Sequence, residues 1–275
     1  MWIAQAAIIF IVAYGLQTLV IQRHPALAAV LLGLLLKPML AWRMLRDEVL
    51  AVEQALGESV QAGRERLAWL VSRDVHHLTA GEVRESAIES LAENLNDSVV
   101  SPIVWFALLG LPGAALYRFA NTADAMWGYR GARNGRVWEW AGKWAARADD
   151  VLSWPGARIS AWLVVLLIQT RLFKPAKPAK PAMSVDWLTA LPKQARKTPS
   201  PNSGWPMAAF ALALNIRLAK PGVYVLNDGA PEPVAANLPV AINLARKVVL
   251  ASVAIAQAAI IFIAYALYAL QEGVH

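Results

Sequence analysis

Four acidic residues recur at four-residue steps in the stretch ESAIESLAENLNDSVVSP. These residues are Glu85, Glu89, Glu93 and Asp97, and we call them the acidic row. On a helix they share one face with Asn94 beside them, and because like charges at this spacing repel, a counter-charge is expected. Mg²⁺ takes hard oxygen ligands, usually one or two carboxylates plus phosphate oxygens. The last three acids of the row, with Asn94, therefore suggest a catalytic metal site.

The residues alone leave a structural alternative open for the acidic row. A solvated helix face whose charges are neutralised by nearby arginines would have the same spacing. Glu82 and Glu85 lie at the expected start of the helix, where carboxylates compensate the helix dipole.

Three further stretches bring polar groups next to apolar segments. They contain Asn121, Asp124 and Arg130 in ANTADAMWGYR, Arg147, Asp149 and Asp150 in AARADDV, and Asn202 in SPNSGWP. A guanidinium matches phosphate or carboxylate as a bidentate fork, and adjacent carboxylates suit a metal. A helix cap at Asn121 or Thr122, with Asp124 in the first turn, is the structural alternative for the first stretch. An internal ion pair explains Arg147 equally well, and turn chemistry explains Asn202.

The composition places the chain in a membrane. Its 275 residues are 57% hydrophobic, with a mean hydropathy of +0.42 and 12 tryptophans, which is more apolar than a typical soluble domain. The absence of cysteine excludes disulfides, thiolate metal sites and cysteine nucleophiles. The net charge of +7 fits basic loops that set membrane orientation. The sequence contains no basic stripe with interleaved aromatic residues, so nothing in it indicates nucleic-acid binding.

Five apolar runs are candidates for membrane-spanning helices. Trp2–Ile21, Val99–Tyr117 and Val248–Leu270 contain no charged residue, whereas Pro25–Trp42 contains Lys37 and Leu152–Thr170 contains Arg158. The first run lacks the basic start and cleavage site of a signal peptide, so we expect a retained anchor. It forms a helical hairpin with the second run, because only a few residues join them.

An amphipathic region links this hairpin to the acidic row. From Arg43, apolar residues fall mainly at three- and four-residue steps with charges between them, which predicts one long helix as far as Leu70. The stretch RDVHHLTAGEV breaks this pattern. Thr79 and Glu82 then have the spacing of a capping box for the helix that carries the acidic row.

The GLPG stretch at Gly110–Gly113 interrupts the run Val99–Tyr117. Gly and Pro here favour a broken, re-entrant pair of half-helices over one straight span. Two straight spans would also place the Asn121 and Asp149 stretches across the membrane from Asn202, whereas one site needs them together. Loops that meet from both sides at mid-membrane depth are the alternative.

We therefore predict an all-α, polytopic integral membrane protein with amphipathic and re-entrant helices, in a single membrane domain. Its segments are an N-terminal helical hairpin (1–42), an acidic-helix and motif core (43–170), a Lys/Pro-rich linker with the Ser-Pro-Asn loop (171–206) and C-terminal helices (207–275). KPAKPAKPA in the linker predicts extended polyproline II, and Gly222–Pro239 is expected to be a loop. The basic segment Arg171–Lys247 should be cytoplasmic, as in a multi-pass protein of the cell inner membrane.

Four stretches, in this order and spacing, resemble the cobalamin-biosynthesis CobD/CbiB family. They are RESAIESLAENLNDSVVSP, YRFANTADAMWGYR, GKWAARADDVLSWPGAR and PSPNSGWPMAAFALAL. The resemblance covers approximately Leu67 to Tyr224.

This resemblance implies adenosylcobinamide-phosphate synthase activity, in which adenosylcobyric acid is joined to aminopropanol phosphate through an amide, with ATP and Mg²⁺. Glu89, Glu93 and Asp97 would hold Mg²⁺, Arg130, Arg147 and Asn202 would bind substrate, and Asn94, Asn121, Asp124, Asp149 and Asp150 would complete the catalytic set. The family motifs support these positions, and the individual roles follow from residue chemistry. The expected partners are the corrinoid, aminopropanol phosphate, membrane lipid and other membrane enzymes of the corrinoid pathway.

The chain also departs from the family pattern. Family members begin with an extra span carrying a Gly-Asp-Pro element, whereas this chain begins at what looks like their second span, as in a shortened, divergent member. Ser98 stands in place of Gly, Ala125 in place of Ser, Thr198 near the place of His, and Met207 in place of Glu. These departures keep a second hypothesis open: a non-catalytic or repurposed membrane homologue, acting as an accessory protein of a corrinoid-assembly complex.

Overall fold

The computed structural model describes residues 1–128, 132–133, 136–137, 142–173 and 185–272. The described residues form an all-α protein, as predicted, with two short pairs of antiparallel strands. The helices are α1 (Trp2–Ile21), α2 (Pro25–Leu36), α3 (Trp42–Glu58), α4 (Val60–Leu67), α5 (Ala80–Leu95), α6 (Ser101–Trp127), α7 (Lys143–Gln169), α8 (Trp187–Ala195), α9 (Gly204–Leu214) and α10 (Asn237–Glu272). The strands are β1 (Ala132–Arg133), β2 (Arg136–Val137), β3 (Leu218–Lys220) and β4 (Tyr224–Leu226). Arg130 and the KPAKPAKPA stretch lie outside the described residues.

Within the described part of the chain, five helical segments are long and apolar enough to cross a membrane. They are Trp2–Ile21, Pro25–Glu58, Ala80–Trp127, Lys143–Gln169 and Asn237–Ala266. The multi-pass membrane architecture predicted from the five apolar runs is confirmed.

The chain divides into two compact units built from interleaved segments. Unit 1 comprises Met1–Leu40, Ser98–Gly156 and Leu250–His275, and unit 2 comprises Ala41–Asp97 and Ala157–Val249. In unit 1, α1 packs along α6. Ala13, Leu111 and Ala115 are buried there, and Ile9, Leu32, Leu35, Met39 and Phe106 pack against them. The predicted division of the chain into four contiguous segments stays a prediction.

Helix α6 is interrupted at Gly110, so the break predicted in the GLPG stretch is confirmed. Gly110 has φ 69° and ψ −155°, a conformation that only glycine adopts without strain. Leu111 N–H donates a hydrogen bond of 2.6 Å to Gln17 Oε1 of α1, which satisfies a backbone group at the break. Pro112 begins the second half-helix, where its missing N–H costs nothing. The re-entrant course of the two halves stays a prediction.

Helix α5 is the central helix of unit 2 and contacts α3, α4, α9 and β3. The predicted capping box is confirmed, because Thr79 Oγ1 accepts from Glu82 N–H and Glu82 Oε2 accepts from Thr79 N–H. Every residue of α9 except Trp205 is buried, and most of α5 after its first turn is buried too. The acidic row therefore lies on a helix that is packed against other elements of unit 2.

The predicted long amphipathic helix is in fact two helices, α3 and α4. Ser59 lies between them in extended conformation, and its Oγ accepts a 3.0 Å hydrogen bond from Ala62 N–H. This N-cap starts a new helix, and hydrophobic periodicity alone could not show it. The predicted apolar face is present, since Leu45, Val49 and Val52 are buried.

Three other boundaries differ from the prediction. Helix α6 continues to Trp127, so the predicted cap and first turn at Asn121, Thr122 and Asp124 are wrong. Helix α8 lies in the segment predicted as linker and loop, and β4 lies in the predicted loop Gly222–Pro239. Strand β4 pairs with β3, and the opposed residues Leu218 and Leu226 are fully buried. Tertiary burial, which local pattern does not report, stabilises this hairpin.

Candidate functional site

The acidic row lies on the buried side of α5. Glu85 and Glu89 are 0% and 1% exposed, and Glu93 is half-buried. The alternative of a solvated acidic face is therefore wrong for Glu85 and Glu89. Carboxylates at this depth need compensating charge or hydrogen bonds.

Arginines from other parts of unit 2 compensate these carboxylates. Arg73 Nη2 donates to Glu89 Oε2 at 2.6 Å, and Arg217 Nε donates to Glu85 Oε1 at 2.8 Å. Arg217 Nη2 also donates to Glu232 Oε1 at 2.9 Å. The hydrogen bond to Glu85 is the largest cause that raises the pKa of Arg217. The helix-dipole role predicted for Glu85 is thus wrong, since its carboxylate forms a buried ion pair.

A cavity of about 300 Å³, which we call the Glu89 cavity, opens beside α5 in unit 2. Its polar lining consists of Ser72, Arg73, Glu89, Ser90, Glu93, Asn94, Thr198, Ser200, Ser203, Lys220 and Tyr224. Two lining atoms, Glu89 Oε1 and Arg73 Nη1, are buried without a hydrogen-bond partner among the described residues. Unsatisfied buried polar atoms are costly, so a bound polar group would stabilise both atoms.

Tyr224 of β4 lines the Glu89 cavity. Its hydroxyl donates a 3.7 Å hydrogen bond to Met207 Sδ. Burial raises the pKa of Tyr224 above its ordinary value, and the charge of Glu89, a hydrogen-bonding interaction with the Glu89 carboxylate and the charge of Glu93 raise it further. The phenol is therefore neutral at physiological pH and contributes no negative charge to the cavity.

The end of the acidic row differs from the rest. A π-helical turn at Asn96–Val100 follows α5, and its wider spacing changes the direction of Asp97 relative to the α-helical residues before it. Asp97 Oδ1 accepts from Asn96 Nδ2 at 2.7 Å, and Asp97 is not part of the cavity lining. In the described part of the chain, no group of three or more His, Asp or Glu side chains could hold a metal ion alone. The metal role of Glu89, Glu93 and Asp97 stays a prediction.

A second cavity in unit 2, of about 360 Å³, shares Arg73 and Lys220 with the Glu89 cavity. Its carboxylates already accept backbone hydrogen bonds. Asp74 Oδ1 accepts from His76 N–H at 2.9 Å, and Glu82 Oε2 belongs to the α5 capping box.

The Ser-Pro-Asn loop holds a charged side chain of α7. Asn202 is buried, and its Oδ1 accepts a 2.6 Å hydrogen bond from Arg158 Nη1. Arg158 Nη2 donates to Pro201 O at 3.0 Å, and the guanidinium lies 4.8 Å from the Trp205 ring centroid. The loop thus satisfies the charge that interrupts the run Leu152–Thr170. The substrate-binding role of Asn202 stays a prediction.

Unit 1 brings together four other predicted site residues. Asn121 and Asp124 lie in the last two turns of α6, and Asp149 and Asp150 lie in the first turns of α7. Asn121 Nδ2 and Ser153 Oγ each donate to Asp149 Oδ1 at 3.2 Å. Asp124 and Asp150 lie close enough to interact electrostatically with Asp149. Asn121 therefore links two helices.

The predicted site residues thus form two groups, each within one unit. Glu89, Glu93 and Asn94 line the Glu89 cavity in unit 2, and Asn121, Asp124, Asp149 and Asp150 cluster in unit 1. Arg147 is exposed on α7, and Arg130 lies outside the described residues.

Sequence reasoning missed four residues of unit 2 that the structure brings to the acidic row. They are Arg73, Arg217, Lys220 and Tyr224. The repulsion within the row predicted nearby arginines. It could not identify them, because Arg73 is 16 residues from Glu89 and Arg217 is 132 residues from Glu85.

Comparison with known proteins finds relatives along most of the chain. A protein-family model described as CobD/Cbib protein matches residues 1–255. The probable cobalamin biosynthesis protein CobD of Methanothermobacter thermautotrophicus is 43% identical over 199 residues, which are 71% of this chain and 62% of that protein. The chain thus spans less than two thirds of this relative.

Two further relatives carry similar names. The probable cobalamin biosynthesis protein CobD of Methanothrix thermoacetophila is 36% identical over 82% of this chain and 68% of its own length. The cobalamin biosynthesis protein CobD of Brucella melitensis is 37% identical over 82% of this chain and 66% of its own length. No solved structure matches the chain.

The fold and site define a class: multi-pass helical membrane proteins with a charge-lined cavity against a buried acidic helix. Within that class, the chain belongs to the CobD/CbiB family, because the family match covers residues 1–255. The membership predicted from the four sequence stretches is confirmed.

Proposed function

We propose that this protein acts in cobalamin biosynthesis as an adenosylcobinamide-phosphate synthase-like ligase of the cell inner membrane. It joins a carboxylate of adenosylcobyric acid to the amine of aminopropanol phosphate, with ATP as co-substrate. The observation that carries the proposal is the family match over residues 1–255 in a chain with a charged, partly unsatisfied cavity. The names of the relatives support the pathway.

Amide formation sets clear demands on the residues of the site. A C–N bond forms, a carboxylate oxygen leaves the acyl carbon, and the ammonium gives up protons. ATP supplies the activation of the carboxylate by phosphoryl transfer. The chain must hold the amine beside the acyl group, shield both from water and accept a proton. The buried carboxylates of the Glu89 cavity suit the amine, because they carry the opposite charge.

Mg²⁺ is the proposed metal, and the residues present fit a site shared with phosphate. One or two carboxylates plus phosphate oxygens are its usual ligands, so a protein-only cluster is not required. Arg73 already compensates Glu89. Glu93, which lines the Glu89 cavity, is therefore the carboxylate that we propose to hold Mg²⁺ together with phosphate oxygens, and Asp97, which lies outside the cavity lining, is the second candidate ligand. The ion would neutralise charge on the phosphate.

The unit 1 cluster is proposed to bind a phosphate group. Arg147 is exposed on α7, where its planar fork can meet a phosphate, and Asp149 and Asp150 follow it on the same helix. Asn121 fixes the orientation of Asp149 through their 3.2 Å hydrogen bond. Asn202 supports the Ser-Pro-Asn loop by its hydrogen bond to Arg158.

The alternative, an accessory role beside other corrinoid-pathway membrane enzymes, has one specific observation in its favour. Thr198 and Met207, two departures from the family pattern, both line the Glu89 cavity.

Complementation tests the proposal against this alternative. Expression in a strain that lacks the synthase should restore cobalamin-dependent growth on cobyric acid medium, and the Glu58→Gln variant, altered at an exposed residue of α3, should do so equally. Membrane-inserted protein that fails to restore growth would support the accessory role.

A further inference from the structure

We propose that the Glu89 cavity binds a small phosphorylated primary amine, with Glu89 holding the ammonium and Arg73 and Lys220 holding the phosphate. The inference rests on the proposed function for its physiological occupant, which would be aminopropanol phosphate. The binding mode itself follows from the atoms of the cavity.

Only one guanidinium nitrogen of Arg73 and one carboxylate oxygen of Glu89 take part in their ion pair. Arg73 Nη2 and Glu89 Oε2 bind each other at 2.6 Å, whereas Arg73 Nη1 and Glu89 Oε1 have no hydrogen-bond partner among the described residues. The Glu89 side chain is only 2% exposed, so water compensates it poorly. The Tyr224 hydroxyl also interacts with the Glu89 carboxylate. Glu89 Oε1 and Arg73 Nη1 themselves have no hydrogen-bond partner among the described residues, so the cavity presents one cationic donor and one anionic acceptor to a ligand. A ligand with an anionic group and an ammonium group satisfies both, whereas either group alone satisfies one.

A hydroxyl of the same cavity can also donate to a phosphate. Ser200 lines the cavity, and its Oγ accepts hydrogen bonds of 3.2 Å from the N–H groups of Asn202 and Ser203. Its lone pairs are thus used, and its hydroxyl proton remains to be donated. With the Lys220 ammonium on the same cavity, this gives an anionic phosphate a neutral donor as well as two cationic ones.

The size and charge of the Glu89 cavity favour aminopropanol phosphate, the smallest of the three proposed substrates. A volume of about 300 Å³ is at the low end for small-molecule sites, which excludes a corrin ring system from the cavity itself. The charged lining residues Arg73, Lys220, Glu89 and Glu93 balance each other formally. A balanced lining suits a ligand of both signs better than a polyanionic nucleotide.

The neighbouring cavity is a poorer candidate. It shares Arg73 and Lys220, but its carboxylates Asp74 and Glu82 already accept backbone hydrogen bonds. An ammonium group would find no unsatisfied buried carboxylate oxygen among its described residues, since Glu89 Oε1 belongs to the first cavity.

Isothermal titration calorimetry on the full chain in lipid nanodiscs tests the inference with three probes: aminopropanol phosphate, propyl phosphate and 1-amino-2-propanol. We expect aminopropanol phosphate to bind at least about tenfold more tightly than either single-charge probe, because each loses a charge-assisted hydrogen bond. Equal affinity for aminopropanol phosphate and propyl phosphate, or no binding of aminopropanol phosphate, would overturn the inference.

Two variants locate the binding site, with a third as the matched control. Glu89→Gln should remove the preference for aminopropanol phosphate over propyl phosphate. Lys220→Gln, at a half-buried residue of β3, should weaken the binding of aminopropanol phosphate and of propyl phosphate by a similar factor. Glu53→Gln is the control, because Glu53 also pairs with an arginine, Arg84, at 2.8 Å but lies outside the cavity lining. A preference that persists in Glu89→Gln, or equal losses in Glu53→Gln, contradicts the assignment.

The same probes and variants distinguish a failure of the proposed binding site from a failure of the proposed function. Selective binding of aminopropanol phosphate by a folded protein that forms no amide would contradict the ligase and leave the site intact. Amide formation by Glu89→Gln with an unchanged KM for aminopropanol phosphate would overturn the site and leave the ligase intact.

Discussion

Glu85 is a fully buried carboxylate whose compensation comes from a single guanidinium. Arg217 donates to its Oε1 at 2.8 Å, while its Oε2 has no hydrogen-bond partner among the described residues. Removing one partner of such a pair leaves an uncompensated buried charge, which costs more than the pair contributes to stability.

Arg217→Gln should therefore lower the melting temperature of the purified protein clearly. Breaking a fully buried pair costs about 3–5 kcal/mol, and we expect less here because Arg217 is 30% exposed. Arg46→Gln is the matched control, since its pair with Asp47 is exposed on both sides and should contribute about 0–1 kcal/mol. The double variant Glu85→Gln with Arg217→Gln should recover part of the loss. Equal shifts for Arg217→Gln and Arg46→Gln would refute this account of Glu85.

The other end of the acidic row carries the magnesium prediction. Glu93→Gln and Asp97→Asn each remove one proposed ligand, so each should lower turnover and raise the Mg²⁺ concentration for half-maximal activity by about tenfold or more. Glu58→Gln removes an exposed carboxylate of α3 and should leave both values unchanged. Unchanged Mg²⁺ dependence in both site variants would make these two carboxylates structural.

For single residues, the sequence predicted the position on a helix better than it predicted burial and contact partners. Four-residue spacing placed Glu85 and Glu89 on one helix face, and the helix is there. Their burial could not be predicted, because it depends on α9 and on arginines distant in sequence. The same limit explains Asn121, whose partner Asp149 lies 28 residues away on another helix.

Among the helices, α6 depends on a glycine at its break. A Cβ at Gly110 would collide with the Gln17 side chain, and the positive φ of 69° is strained for any other residue. The close approach lets Gln17 bind Leu111 N–H, so packing and hydrogen bonding at the break depend on the same position.

Gly110→Ala should lower the melting temperature and weaken the packing of α1 on α6. Gly33→Ala is the control, because Gly33 lies inside α2 with open space around its Cβ position. Alanine there should leave stability unchanged or raise it slightly, given its better helix propensity. Thermal unfolding in detergent compares the two variants. A Gly110→Ala protein as stable as Gly33→Ala would refute the structural need for glycine.

Element boundaries show which sequence signals are reliable. The Thr79 capping box and the Gly110 break were predicted correctly, because both depend on residues that are close in sequence. The break at Ser59 was missed, since apolar periodicity continues on both sides of it. The continuation of α6 through Asn121 was missed because cap-like residues also occur inside helices when their side chains find partners elsewhere.

For the whole molecule, composition and five apolar runs were enough to predict a multi-pass all-α protein. The interleaved units could not be predicted, because each combines segments far apart in the chain. Their formation depends on long-range burial, which periodicity in one segment does not report.

The re-entrant course of Val99–Tyr117 is a prediction about the whole chain in its membrane. If the two halves return to the cytoplasmic side, a cysteine at position 134 of this cysteine-free chain is cytoplasmic. The Asn134→Cys variant should then react with a membrane-impermeant maleimide only after cell lysis. Ala176→Cys, in the segment predicted to be cytoplasmic, is the control for intact cells. Labelling of position 134 from outside, with position 176 protected, would exclude the re-entrant course.

The ligase reaction is tested most directly with the purified full chain in nanodiscs. Adenosylcobyric acid, aminopropanol phosphate, ATP and Mg²⁺ are incubated with the protein, and the corrinoid product is followed by mass spectrometry. We predict a product whose mass equals the sum of the two joined substrates less one water, formed only when ATP is present. A folded protein that binds aminopropanol phosphate but forms no such amide, or an amide that forms equally without ATP, would contradict the proposed function.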